Sequence, residues 1–176
     1  MAVTLKEISG WLDQLELKYD LKDDKIIFFS GDESSTQMHV IKAREEGSIF
    51  EWSMGIVNDE QDGVFKVKEH KHLSTLLAYL LQVNYQTKFG TWEYDPKDGE
   101  ITLNVEIPLE DAKMTFKQFK RICSLTLDTD EYTDNIKKIL ETGEMPKNEE
   151  DEMMQMLKAL LVMAEKELEA ETEDGI

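Results

Sequence analysis

Residues 73–119 read LSTLLAYLLQVNYQTKFGTWEYDPKDGEITLNVEIPLEDAKMTFKQF, and this stretch decides the fold. Leu73, Leu76, Leu77, Leu80 and Leu81 recur at helical spacing, which predicts a helix over 73–86. Phe89-Gly90 closes it, because glycine takes positive φ without a Cβ clash. Trp92 and Tyr94 share one face of a short strand. Asp98-Gly99 is a turn pair. Ile101, Leu103, Val105 and Ile107 then alternate with Thr102, Asn104 and Glu106, the period of a half-buried strand. A second helix opens at Thr115, where Thr115-Phe116-Lys117-Gln118 forms a capping box flanked by the staple pair Met114 and Phe119. Asn84 falls on the leucine stripe. A polar side chain there needs partners if buried, and it is placed to pin the helix end to the strands that follow.

Upstream, Thr4-Leu5-Lys6-Glu7 is another capping box, with Val3 and Ile8 as its staple. Leu5, Ile8, Trp11, Leu12 and Leu15 make one apolar face, predicting a helix from Leu5 to about Gln14. Residues 17–21 and 25–30 flank a turn at Lys22-Asp23-Asp24. The run Ile26-Ile27-Phe28-Phe29 is apolar on both sides, which predicts a strand covered on both faces or lying centrally. Strands follow at 37–44 and 49–56. In the second, Phe50, Trp52, Met54 and Ile56 share a face at period two. That face reads as core against a helix; if part of it were exposed, Phe50, Trp52 and Met54 would form a peptide-docking surface.

Downstream, Phe116, Phe119, Ile122, Cys123, Thr126 and Leu127 give one helical face, and Ile136, Ile139 and Leu140 continue it past an acidic DTDEYTD run. The expectation is one continuous or slightly broken helix ending at Gly143 and Pro146. Asn148 then caps a last predicted helix whose first turn is Glu149-Glu150-Asp151-Glu152. Met153, Met156, Leu157, Leu160, Leu161 and Ala164 form its stripe, rich in adaptable methionine. The expected organisation is a domain over 1–144 and an acidic, methionine-rich helix with a frayed tail over 145–176. The fold class is α+β, in the order α-β-β-β-α-β-β-α with an antiparallel sheet packed by helices, plus the extra C-terminal helix.

The totals exclude several function classes. The 176 residues carry a formal net charge of −18, which argues against nucleic acid and against anionic membrane as direct partners. Half of that charge lies after residue 140, where 12 acidic and 3 basic residues stand together. No apolar run approaches the roughly 18 residues of a bilayer span, and the N-terminus lacks the basic-then-apolar pattern of a secretory signal. The expected compartment is the cytoplasm. The lone Cys123, on an apolar stripe, reads as a buried structural thiol.

No motif carries catalysis, and no cofactor or metal is expected. Asn58-Asp59-Glu60-Gln61-Asp62-Gly63 resembles a calcium loop, but asparagine stands first, glutamate stands third, and a strand rather than a helix precedes it. His70 and His72 would point the same way on a strand, yet two ligands seldom make a metal site. DTDEYTD lacks the glycine and distal glutamate of a calcium loop.

The element order resembles that of the class I type III secretion chaperones and of the YbjN family, which shares their fold. The YbjN resemblance is closer. It is carried by Leu80-Leu81-Gln82-Val83-Asn84, by 88–95 (KFGTWEYD), by Asp98-Gly99-Glu100-Ile101, by Ile107-Pro108-Leu109 and by the Leu-x-Leu-Asp-x-Asp-x-Tyr run from Leu125 to Tyr132. It covers about residues 4–141, and the helix after Pro146 extends beyond it. The resemblance implies a small, frequently dimeric protein. It further implies either binding of extended client polypeptide on an apolar surface, as in the chaperones, or a sensory or motility regulator, as in YbjN-like proteins. The function expected is therefore a non-enzymatic, chaperone- or adaptor-like module that binds a polypeptide partner. The alternatives are a regulatory subunit docking through its C-terminal helix, or an enzyme. Candidate protein-binding residues are Phe50, Trp52, Met54, Met153, Met156, Leu157 and Leu160. Candidates for a homodimer interface are Leu77, Leu81, Trp92 and Tyr94.

Overall fold

The computed structural model describes residues 3–31, 36–58 and 63–146. The chain divides into two units, Met1–Glu144 and Met145–Ile176, and the architecture below is that of the first. Thr4 starts it. Its Oγ1 accepts from the Glu7 amide at 3.2 Å, and the Glu7 carboxylate accepts from the Thr4 amide at 2.9 Å. Helix α1 (Leu5–Gln14) begins at that box and buries Ile8 and Leu12. A short β1 (Asp20–Leu21) pairs with β2 (Ile26–Ser30), followed by β3 (Gln37–Arg44), a tight 3-10 turn at Glu45–Gly47 and β4 (Ile49–Ile56). Then come α2 (Leu73–Gln86), β5 (Thr91–Tyr94), β6 (Ile101–Pro108), α3 (Phe116–Leu127) and α4 (Asp130–Thr142).

The six strands form one antiparallel sheet in the order β1-β2-β3-β4-β6-β5. This is an α+β fold, with four strands before α2 and two helices after β6. In the central register, Trp52 lies opposite Ile41 on one side and Val105 on the other. The helices cover a single face of the sheet. Towards one end, Ile8 and Leu12 of α1 with Phe119 and Ile122 of α3 pack on Phe28, Ile41, Phe50, Trp52 and Val105. Towards the other, Leu76, Leu80 and Val83 of α2 with Ile136, Ile139 and Leu140 of α4 pack on Met54, Ile56, Trp92 and Leu103. Trp52 is the hub: its ring stacks on Phe119 at 5.9 Å and meets Phe28 edge-on at 5.6 Å. Losing such a buried aromatic costs about 3–5 kcal/mol.

One expectation changes in the structure, and another is narrowed to one of its two forms. β2 is not covered on both faces: Ile26 and Phe28 are buried, whereas Phe29 is 61% exposed. The cause is the one-sided placement of the helices, which among the described residues leaves the opposite sheet face without a helical layer. The long final helix is interrupted at Asp128–Thr129. Strand β3 accounts for the break. Thr129 Oγ1 donates to Gln37 Oε1 at 3.2 Å, and Gln37 Nε2 donates to Asp130 Oδ1 at 3.0 Å, so a buried amide fixes the turn between α3 and α4.

Candidate binding surfaces

One pair of side chains has the outward form of a catalytic dyad. Ser30 Oγ lies 2.7 Å from His39 Nε2, and His39 is fully buried. Its other nitrogen, Nδ1, accepts from Trp52 Nε1 at 3.1 Å. An indole N–H can only donate, so the neutral imidazole carries its proton on Nε2 and donates to the serine. A general base needs the reverse: a free nitrogen facing the hydroxyl. Burial also pushes the His39 pKa down to about 3. Ser30 in turn donates to Gln37 Oε1 at 3.2 Å. The result is a directional hydrogen-bond chain, Trp52 to His39 to Ser30 to Gln37 to Asp130, that ties β2, β3 and β4 to the start of α4. Every buried side-chain polar atom among the described residues has a partner. This network satisfies polar groups and does not activate a nucleophile. Burial raises the Cys123 thiol to about 11, which makes it a poor nucleophile.

The uncovered sheet face is the first open surface. Phe29 lies opposite Met38, and Ile27 opposite Val40, so these four make an apolar half on β2 and β3. Farther along, Lys42 pairs across to Glu51, whose carboxylate takes Lys42 Nζ at 3.4 Å and Arg44 Nη2 at 3.1 Å. Glu51 is only 9% exposed, and it holds two cations over the middle of the face. The second open surface is a stripe on α2. Leu77, Leu81 and Tyr85, each four residues apart, are 36%, 71% and 92% exposed. Beside the end of that stripe, Asn84 turns inward to the free edge of β5. It accepts from Trp92 N at 2.8 Å and donates to Trp92 O at 2.9 Å.

A family model for YbjN, described as "Putative bacterial sensory transduction regulator", matches residues 4–132. The chain belongs to the YbjN family. Its fold is similar to the crystal structure of YbjN, a putative transcription regulator from E. coli, with a TM-score of 0.53 at 12% identity, over 75% of this chain and 95% of that one. It is also similar to a chain in the structure of the HopA1-SchA chaperone-effector complex, with a TM-score of 0.45 at 14% identity, over 70% of this chain and 87% of that one. No curated protein matches.

Within this YbjN fold, the residues singled out from sequence fall in three places. Phe50, Trp52 and Met54 are fully buried, with 0% exposure. Their face is the one the helices cover, so they build the core and offer nothing to a partner; the exposed apolar residues of the sheet lie on the other side. Trp92 is likewise buried at 4%, while Tyr94 is half-buried and Leu77 and Leu81 are open. Met153, Met156, Leu157 and Leu160 lie outside the described residues, as does most of the calcium-like run at 58–63. Sequence reasoning missed Phe29 and Tyr85. Tyr85 was findable, since it continues Leu77 and Leu81 at the same spacing.

The histidine pair is used structurally. His70 Nδ1 accepts from the His72 amide at 3.2 Å, and the His72 ring sits so close over Gly143 that a Cβ there would come within 2.5 Å of it. No group of three metal-ligating side chains occurs among the described residues. No helix among them is long and apolar enough to cross a membrane.

Proposed function

We propose that the chain is a non-enzymatic polypeptide-binding protein, a chaperone- or adaptor-like regulator that works as a homodimer. The observation that carries this reading is the sheet face that no described helix covers, where Phe29 stands 61% exposed beside Ile27, Met38 and Val40. A β-sheet normally buries its apolar face against another layer, and an open apolar patch flanked by charge is the form of a protein-binding surface. Lys42, Arg44 and Glu51 supply the polar border. The stripe Leu77-Leu81-Tyr85 lies on α2, away from this face, and serves self-association. The Ser30–His39 geometry supports the non-enzymatic part, because this pairing of a hydroxyl with an imidazole, the one found among the described residues, has its proton on the wrong nitrogen.

A photo-crosslinking amino acid placed at Phe29 in cells tests the reading. Discrete cross-linked polypeptides are expected at Phe29, and none from the same probe at the exposed Lys138 on α4, which packs on the other face of the sheet. An equal pattern at both positions, or none at Phe29, would overturn it.

A further inference from the structure

We infer that α3 is a second docking surface, shaped for an acidic polypeptide segment with an apolar stripe. The inference deepens the polypeptide-binding reading and rests on it. Residues 112–127 hold four cations, Lys113, Lys117, Lys120 and Arg121, and no aspartate or glutamate, within a chain of net charge −18. Lys117, Lys120 and Arg121 are spaced three and four apart, so they share one side of α3, and all three are exposed. None joins an ion pair among the described residues, where Lys22, Lys42, Arg44 and Lys66 do. Lys117 also sits in the first turn of α3, where the helix dipole disfavours positive charge. A folded acidic protein has carboxylates to spare for neutralising such a cluster, and among the described residues none is used for it.

One of these cations, Arg121, borders an apolar hollow. A cavity of about 210 Å³ lies between α3 and the end of β6, lined by Phe89, Ile107, Met114, Ile122 and Leu125, with Arg121 on its wall. A second hollow of about 360 Å³ shares Phe89 and Leu125 and continues towards Trp92 and Tyr132, with a mixed lining that includes Lys88, Asp128 and Thr129. Leu125, 47% exposed, stands between the two. A helix or extended segment laid along α3 would place an apolar anchor in the first hollow, against Leu125, and carboxylates over Lys117, Lys120 and Arg121. That division, with apolar anchors in pockets and charge at the rim, is what gives an interface both affinity and orientation. The cationic ridge selects an acidic occupant.

The test uses the full chain and a fluorescein-labelled synthetic peptide of about 20 residues, with leucine and methionine at i, i+3, i+4 and i+7 and glutamate flanking them. Anisotropy should report saturable binding that weakens with added salt. The combined variant Lys117→Glu, Lys120→Glu, Arg121→Glu should lose at least about tenfold in affinity, as should Leu125→Asp. A milder Lys117→Ser, Lys120→Ser, Arg121→Ser variant, with unchanged circular dichroism and melting, should show an intermediate loss. Unchanged affinity in the charge-reversed protein would overturn the inference. So would equal binding of a lysine-flanked peptide of the same apolar pattern, preferential binding of an oligonucleotide, or conversion of a dimer to a monomer by the charge reversal, which would make α3 a self-interface. Cross-linking at Phe29 reads the broader proposal independently of these α3 variants.

Discussion

Asn84 completes the hydrogen bonds of Trp92 as a neighbouring strand would. Its Oδ1 accepts from the Trp92 amide at 2.8 Å and its Nδ2 donates to the Trp92 carbonyl at 2.9 Å. β5 is the outermost strand on its side of the sheet, so these backbone groups face the free edge. An open edge is a template for pairing with another chain, and a side chain that occupies it blocks that pairing. The same bonds fasten the last turn of α2 to the sheet.

Replacing Asn84 with leucine should therefore do two things. It should destabilise the fold by about 1–3 kcal/mol, because a half-buried N–H and C=O lose their partners. It should also increase association through the β5 edge. Urea unfolding reads the first and concentration-dependent light scattering the second. A variant as stable and as dispersed as the parent would show that water replaces the asparagine at no cost.

His39 sets a pH dependence whose sign follows from its burial. In the unfolded chain its pKa is the ordinary 6.5, and in the folded protein it is lowered to about 3. Between those values the unfolded state binds more protons, so stability rises with pH. The contribution is complete above about pH 6.5 and is lost progressively as pH falls towards 3, reaching a loss of about 2 kcal/mol at pH 5. His39→Phe should be less stable at neutral pH, since Trp52 Nε1 and Ser30 lose their partner. Its urea midpoint should nevertheless fall less steeply between pH 7 and pH 4 than that of the parent. Parallel pH profiles for the two proteins would contradict the role given to this ring.

The parts of the fold legible from sequence were those encoded by near neighbours. Thr4 with Glu7, and Thr115 with Gln118, span three residues each, and both boxes form as their residue types require. The Asp98-Gly99 turn and the alternation from Ile101 to Ile107 fixed the hairpin for the same reason. Asn84 was legible as a residue in need of partners, although not as the plug of an edge. What stayed hidden depends on distant pairings. Thr129 and Asp130 meet Gln37 across some ninety residues, so the break between α3 and α4 could not be read locally. Nor could the apolar run Ile26–Phe29 reveal that Phe29 stays exposed, because that follows from the four described helices choosing the same face. Phe50, Trp52 and Met54 were correctly seen to share a face; the helices above them decide that it is core.

Two glycines should respond to alanine in opposite directions. Gly10 lies within α1 with open space around its missing Cβ, so Gly10→Ala should stabilise by about 0.5–1 kcal/mol. Gly99 has φ +86, and a Cβ there would fall 2.4 Å from the Lys68 amide nitrogen. That backbone crosses close by because the Val67 amide donates to the Gly99 carbonyl at 3.0 Å. Gly99→Ala should destabilise by at least about 1–2 kcal/mol, from the left-handed conformation alone. Thermal melts of the two variants check both signs; the same shift in both would show that helix propensity and turn geometry are not the controlling terms.

The α2 stripe separates a role in folding from one in assembly. Leu81 and Tyr85 are 71% and 92% exposed, so lysine at either position removes little buried area and should change monomer stability by no more than about 0.5 kcal/mol. If these side chains join two copies, the paired substitution Leu81→Lys, Tyr85→Lys places four like charges in a two-fold interface and should shift the measured mass from dimer to monomer. Gln82→Lys, on a neighbouring side of the same helix and also exposed, adds one positive charge per copy outside the stripe and should leave the dimer intact. Sedimentation equilibrium on the three proteins gives the answer. A dimer that survives the paired substitution would remove α2 from the interface.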